Sequence, residues 1–161
     1  DEAECCGWVG VVCDNSTGQV LELHLRGSDH NIFSPLSGTV NPLLLNLKHL
    51  RYLDLGGNDF IGLQIPKFFG SMRSLAFLDL SRAGFAKMIP HELGNLSVLS
   101  YLNLSYSYGL KADGLQWLST PTSLEFLDLS RLGLGAASNW GQAIGCAILF
   151  ILGILTFHSM I

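Results

Sequence analysis

Charge is scarce in this chain of 161 residues: 13 acidic and 9 basic side chains make up 14% of it, and none lies beyond Arg131. With a formal net charge of −4 and no basic run, the sequence lacks the footprint that a phosphate backbone needs, so no nucleic-acid partner is expected. The acids are scattered, which excludes a disordered acidic tail. Catalytic phrases are missing too. No nucleophile elbow or phosphate loop occurs, and His24, His30, His49, His91 and His158 are too dispersed to form a ligand pair. Gly133-Leu-Gly135-Ala-Ala-Ser138 looks like the opening of a dinucleotide loop, but Ser138 replaces its third glycine and no acidic residue follows. Neither a metal nor a cofactor is therefore expected.

Apolar residues are plentiful instead. They form 48% of the chain, and a mean hydropathy of +0.37 is oily for a soluble domain. The leucines are in phase. Leu50-Arg-Tyr-Leu53-Asp-Leu55 returns as Leu75-Ala-Phe-Leu78-Asp-Leu80, Leu99-Ser-Tyr-Leu102-Asn-Leu104 and Leu124-Glu-Phe-Leu127-Asp-Leu129, at intervals of 25, 24 and 25 residues. That period lies inside the roughly 20–29 residues of a leucine-rich repeat.

Alternate residues of an extended segment point to opposite faces, so the last two leucines of each phrase should enter a shared core and their neighbours should face solvent. One copy cannot bury its own leucines; stacked copies can. The expected fold is an α/β-type repeat solenoid, a right-handed curved coil with a parallel β-strand ladder on its concave face.

The outward positions then form columns. The first reads Glu22, Tyr52, Phe77, Tyr101, Phe126; the second His24, Asp54, Asp79, Asn103, Asp128; the third Arg26, Gly56, Ser81, Ser105, Ser130. The aromatics, with Arg82, Tyr106 and Arg131 beside them, offer rigid contact area for a protein or peptide. The competing reading is structural: stacked rings and the Asp/Asn column satisfy the strand edge and each other, and for Asp54, Asp79 and Asp128 that reading is preferred. Three neighbouring carboxylates could in principle share protons for acid-base work, but a flat exposed ladder has no pocket to exclude water. A non-enzymatic protein is expected.

Residues 1–19 crowd Cys5, Cys6, Trp8 and Cys13 at the open end of the solenoid, where the first coil needs a lid. Cys6 and Cys13, seven positions apart, are a reasonable disulfide; a zinc site would need four ligands, and no histidine occurs before His24. The chain opens on Asp1 rather than Met, which reads as a processed form or a fragment. Three sequons, at Asn15, Asn95 and Asn103, permit N-glycosylation in a secretory path. Residues 20–140 hold about five repeats.

Cys5-Cys6-Gly-Trp8-Val-Gly10-Val-Val-Cys13-Asp14 with Thr17-Gly18-Gln-Val20 resembles the end of the N-terminal cap of plant leucine-rich-repeat receptors. In that family the first of the adjacent cysteines pairs with one carried before a helical segment, so the resemblance implies that residues 1–19 are half a cap. Leu36-Ser-Gly38-Thr-Val40, Phe60-Ile-Gly62-Leu-Gln-Ile65-Pro66 and Phe85-Ala-Lys-Met-Ile89-Pro90 resemble the Leu-x-Gly-x-Ile-Pro turn of the plant subtype, followed by short helical turns at 67–72 and 91–96. Asn58, which caps the first full copy, gives way to Ala83, Ser107 and Leu132, so weaker local order is expected there.

The Trp117-Leu-Ser phrase and Ala136-Ala-Ser-Asn139-Trp140 resemble the kinase-lacking receptor-like proteins of plant immunity, the group that includes xylanase receptors. The resemblance covers residues 5 to about 140. It implies a truncated ectodomain facing the apoplast, a microbial elicitor or peptide bound on the concave face, and a partner receptor kinase to carry the signal. Two alternatives stand beside it: a small secreted inhibitor of microbial wall-degrading enzymes, and a remnant too short to bind.

Residues 141–161 form an uncharged tail. As a helix the stretch from Ala143 to Ile161 would span about 28 Å, close to a bilayer's hydrocarbon thickness. Membrane attachment through 143–161 and a hydrophobic lid over the last repeat are both open readings, and no cationic stop-transfer cluster follows.

Overall fold

A computed structural model of the chain describes residues 2–27, 34–111, 117, 118 and 120–132. The tail 143–161, the 133–138 loop and the Ala136–Trp140 phrase lie outside the described residues. Five coils stack in sequence. Their strands β2 (Val20–His24), β3 (Tyr52–Asp54), β4 (Phe77–Asp79), β6 (Tyr101–Asn103) and β8 (Phe126–Asp128) form one parallel ladder, and β1 (Val11–Cys13) adds antiparallel to its first edge. The register is in phase throughout: Leu23 lies beside Leu53, Leu53 beside Leu78, Leu78 beside Leu102 and Leu102 beside Leu127.

The expected interior is the observed one. Leu53, Leu78, Leu80, Leu102 and Leu104 are buried, and so are the phrase-opening leucines Leu50, Leu75, Leu99 and Leu124. Exposure is 8% at both Leu23 and Leu127 against 0% at Leu78, which has a leucine-bearing coil on each side. The far half of the core is aromatic and aliphatic, with Phe60 stacked on Phe85 at 4.9 Å and Ile65, Phe69 and Leu110 fully covered.

Three of the described coils reverse at the position of the Leu-x-Gly turn. Gly38 and Gly62 hold φ of 85° and 77°, a region that glycine enters without a Cβ penalty, and Lys87 takes φ 70° in the same column. A second, two-stranded parallel sheet pairs β5 (Ala86–Met88) with β7 (Gly109–Lys111) on this side. Pro66 and Pro90, which have no amide to donate, then lead into 3-10 turns at Lys67–Ser71 and His91–Asn95. A third such turn, Pro42–Asn46, is capped by the Asn41 side chain accepting from the Leu43 amide at 2.9 Å. The convex side is thus built from 3-10 turns among the described residues.

Cys6 and Cys13 form the expected disulfide. The Cys5 sulfur lies within 4.8 Å of both, but with two of the three sulfurs bonded to each other the cluster is not a metal site. Asp14 closes the cap's turn. It accepts from the hydroxyls and amides of Ser16 and Thr17, the Ser16 hydroxyl foremost, and these bonds hold its carboxyl well below the usual aspartate range. Asn58, buried, donates to the Leu25 and Leu55 carbonyls at 2.8 Å each and accepts from the Leu36 amide at 2.8 Å, tying three segments together. In later coils Ala83 and Leu132 fill that position with apolar burial, while the Ser107 hydroxyl is buried without a partner.

Candidate functional site: the concave face

The strand register stacks the four rings of the first outward column, and His24 of the second column extends the stack at Tyr52. His24, Tyr52, Phe77, Tyr101 and Phe126 follow one another at centroid separations of 4.3, 4.0, 4.0 and 4.2 Å, with interplanar angles of 30° or less. Parallel strands repeat about every 4.8 Å, so rings leaning along the ladder come into face contact. The ladder covers the ring faces and leaves the edges for solvent. Burial is the main reason that the Tyr52 and Tyr101 phenols sit above their ordinary pKa, and the Asp79 carboxylate adds to it.

The second column behaves differently. Its four Asp/Asn members each end a strand by accepting from the amide two residues on: Gly56 to Asp54 Oδ1 at 2.9 Å, Ser81 to Asp79 Oδ1 at 2.8 Å, Ser105 to Asn103 Oδ1 at 3.0 Å and Ser130 to Asp128 Oδ1 at 2.8 Å. Asp54 and Asp79 are buried. This corrects the expectation of an exposed acidic ladder. The physical reason is Arg26, whose Nε donates to Asp54 Oδ2 at 2.9 Å and whose Nη2 reaches Asp79 Oδ2, two coils away, at 2.6 Å. Gly56 makes the reach possible: a Cβ there would meet the guanidinium at 2.6 Å.

Asn103 completes this network by donating through Nδ2 to Asp79 Oδ2 at 3.2 Å. A glycan would replace one Nδ2 hydrogen and would have to fit in a column where Asp79 and Asp128 flank Asn103 in register, so glycosylation is disfavoured there. Asn15 and Asn95 are exposed. In protein secreted from a eukaryotic host, we expect peptide mapping after isotope-tagged deglycosylation to find mass shifts at Asn15 and Asn95 and none at Asn103. A shift at Asn103 in folded protein would contradict the network.

Arg82, Tyr106 and Arg131 form a further column just past the strands. The Arg82 guanidinium carbon lies 4.0 Å from the Tyr106 ring centroid and that of Arg131 lies 5.1 Å from it. Hydrogen bonding to Tyr108 first, and then charge interaction with Tyr106, raises the Arg131 pKa. The structure thus separates the eleven candidate residues into a ring row (Tyr52, Phe77, Tyr101, Phe126), a strand-ending polar column (Asp54, Asp79, Asn103, Asp128) and a cation–π column (Arg82, Tyr106, Arg131). The sequence reading missed two partners. Arg26 and His24 were in the columns, and Gly56 opposite a cationic neighbour was the signal for the first.

Stacked coils, an in-register leucine interior and proline-led 3-10 turns define the class: this is a leucine-rich-repeat protein. The Leucine Rich Repeat family model matches residues 49–72. The chain is 40% identical over 151 residues to the receptor-like protein EIX1 of Solanum lycopersicum, an alignment covering 89% of this chain and 14% of that protein. Among solved structures it is similar to the BIR2 ectodomain from Arabidopsis thaliana, with a TM-score of 0.70 and 28% identity over 83% of this chain and 67% of that one. It is also similar to the plant peptide hormone receptor RGFR1 in complex with RGF2, with a TM-score of 0.65 and 28% identity over 81% of this chain and 19% of that one. Within its class the chain is similar to plant receptor-like proteins, of which it spans about one seventh of the length in EIX1.

Proposed function

We propose that this chain is a non-enzymatic recognition module, part of a receptor-like ectodomain at the cell surface or in the apoplast, that binds a protein or peptide on its concave face. The observation that carries the reading is the unbroken stack of five rings from His24 to Phe126. Rigid rings contribute contact area at low entropic cost, and rings already held by their neighbours lose little more on binding. Because their faces are occupied by one another, a ligand meets ring edges; that suits aliphatic and aromatic peptide side chains better than sugar rings, which stack on open faces. The solved structure of RGFR1 with RGF2 supports a peptide as the kind of ligand such a coil can take.

In defence signalling the ligand would be a microbial elicitor, and a separate receptor kinase would carry the signal onward. Membrane attachment through residues 143–161 belongs to this proposal. No helix among the described residues is long and apolar enough to cross a membrane.

The test is panning of a random peptide library against the full chain, followed by binding measurements on Phe77→Ser/Tyr101→Ser with an unchanged circular dichroism spectrum. Peptides that bind wild type and lose at least about tenfold on the variant, as expected for two interface aromatics, support the reading. Either no enriched peptide or binding indifferent to both rings overturns it.

A further inference from the structure

The cation–π column has features that recognition by the ring row does not use. Arg82, Tyr106 and Arg131 occupy, in consecutive coils, the position that Gly57 holds in the coil before them, and all three take left-handed φ of 54°, 57° and 56°. Gly57 has φ 67°, and a Cβ there would meet the Gly27 carbonyl oxygen at 2.1 Å. Side chains with a Cβ are rare in this region of backbone space, and where the fold enforces it they gather at places where a group is aimed. Here it is enforced: the Arg82 amide donates to the Ser105 carbonyl at 3.0 Å and the Tyr106 amide to the Ser130 carbonyl at 2.9 Å.

What is aimed is positive charge. Arg82, in the coil before Tyr106, and Arg131, in the coil after it, both bring a guanidinium to the Tyr106 ring. A neutral ring attracts both cations through its quadrupole but neutralises neither. Both arginines are exposed, and among the described residues no ion pair joins either to a carboxylate. Arg26 on the same face is the contrast, since Asp54 and Asp79 meet its charge. In a chain of net charge −4, two cations held around one ring make a local anion-seeking spot. A guanidinium has five N–H donors, so Arg131 retains some beyond those it gives to Tyr108 and Tyr106, and a carboxylate fits the fork that a ring-stacked guanidinium presents at its edge.

We propose that Arg82, Tyr106 and Arg131 form a carboxylate-binding subsite that takes the acidic group of a peptide whose apolar side chains lie along the ring row. This rests on the recognition reading above and adds the ligand's charge. Phe77 and Arg82 are five residues apart with a turn between them, so their backbones are separated by less than the roughly 16 Å of five extended residues, and an acidic group four or five residues from an apolar anchor is long enough to reach both.

The experiment titrates the chain labelled with 15N and 13C with three probes: acetyl-Phe-Leu-Gly-Ser-Gly-Glu-amide, its glutamine counterpart, and the glutamine peptide with a free C-terminal carboxyl. Side-chain Nε–H signals of Arg82 and Arg131 report the subsite, and ring signals of Phe77 and Tyr101 report the row. We expect all three peptides to shift the rings, and only the carboxylate peptides to shift the arginines. The glutamate peptide should bind about three- to tenfold tighter than its glutamine counterpart, a margin that shrinks at 0.5 M salt and disappears in Arg82→Gln/Arg131→Gln. Arg82→Lys/Arg131→Lys, which keeps charge without the fork, should retain part of it. The free-carboxyl arm distinguishes a C-terminal from a side-chain source.

Equal binding of all three peptides, or a carboxylate margin that survives the double glutamine variant, overturns the subsite and leaves the ring row standing. Arginine shifts without ring shifts uphold the subsite and count against recognition by the rings. No shift at either place contradicts both.

Discussion

Leu78→Ala is expected to destabilise the chain by about 3–5 kcal/mol, a large share of the whole folding free energy of an ordinary domain. Leu78 is completely buried and sits in register between Leu53 and Leu102. A cavity at that position weakens the interface with the coil on each side. In a stack held by nearest-neighbour contacts, both losses fall on one residue. Leu127, 8% exposed in the last described coil, provides the internal comparison. Leu127→Ala should cost about 2 kcal/mol, at the low end for such a truncation. Urea unfolding followed by circular dichroism measures both. Equal losses at the two sites would mean that the interior is not graded from centre to end as the structure has it.

The second large effect is electrostatic. Arg26→Met keeps the aliphatic stem and removes the charge that faces Asp54 and Asp79, whose side chains are 11% and 5% exposed. Removing one partner of a fully buried ion pair costs about 3–5 kcal/mol; because the Arg26 side chain is itself 38% exposed, about 2–3 kcal/mol is the expected loss. Asp79→Asn in the Arg26→Met background should recover a part of that, since it removes the carboxylate left without its cation, whereas Asp79→Asn alone should destabilise. Chemical denaturation of the four proteins gives the coupling directly. Additive effects would show that Arg26 and Asp79 do not act as a pair.

The leucine interior was legible because its signal is local and repeated. Leu53 and Leu55 stand two apart and return after 25, 24 and 25 residues, and a period needs no tertiary information to be read. The turns were legible from Gly62, Pro66 and Pro90, whose backbone limits act on their own residues. The Cys6–Cys13 disulfide followed from spacing. Arg26 was harder, because its partners Asp54 and Asp79 lie 28 and 53 positions away, and only the stacking of coils brings them under one guanidinium. For the same reason Asp54 and Asp79 looked exposed when each strand was considered singly. The left-handed column was also concealed, since Gly57 alone announces a positive φ and Arg82, Tyr106 and Arg131 carry no such signal. Asn103 shows the converse limit: its sequon is complete, but its amide is already committed to Asp79 and Ser105.

The account depends on coils whose aliphatic side chains meet their counterparts in the next coil, with the rings following the same register on the other face of the strands. Methyl-labelled nuclear magnetic resonance tests this in one spectrum. The structure predicts nuclear Overhauser contacts from Leu53 to Leu78, Leu78 to Leu102 and Leu102 to Leu127, together with ring contacts from Tyr52 to Phe77 and from Phe77 to Tyr101. A spectrum in which neighbouring coils give no leucine contacts, or in which the contacts appear one residue out of register and place the rings inside, would contradict it.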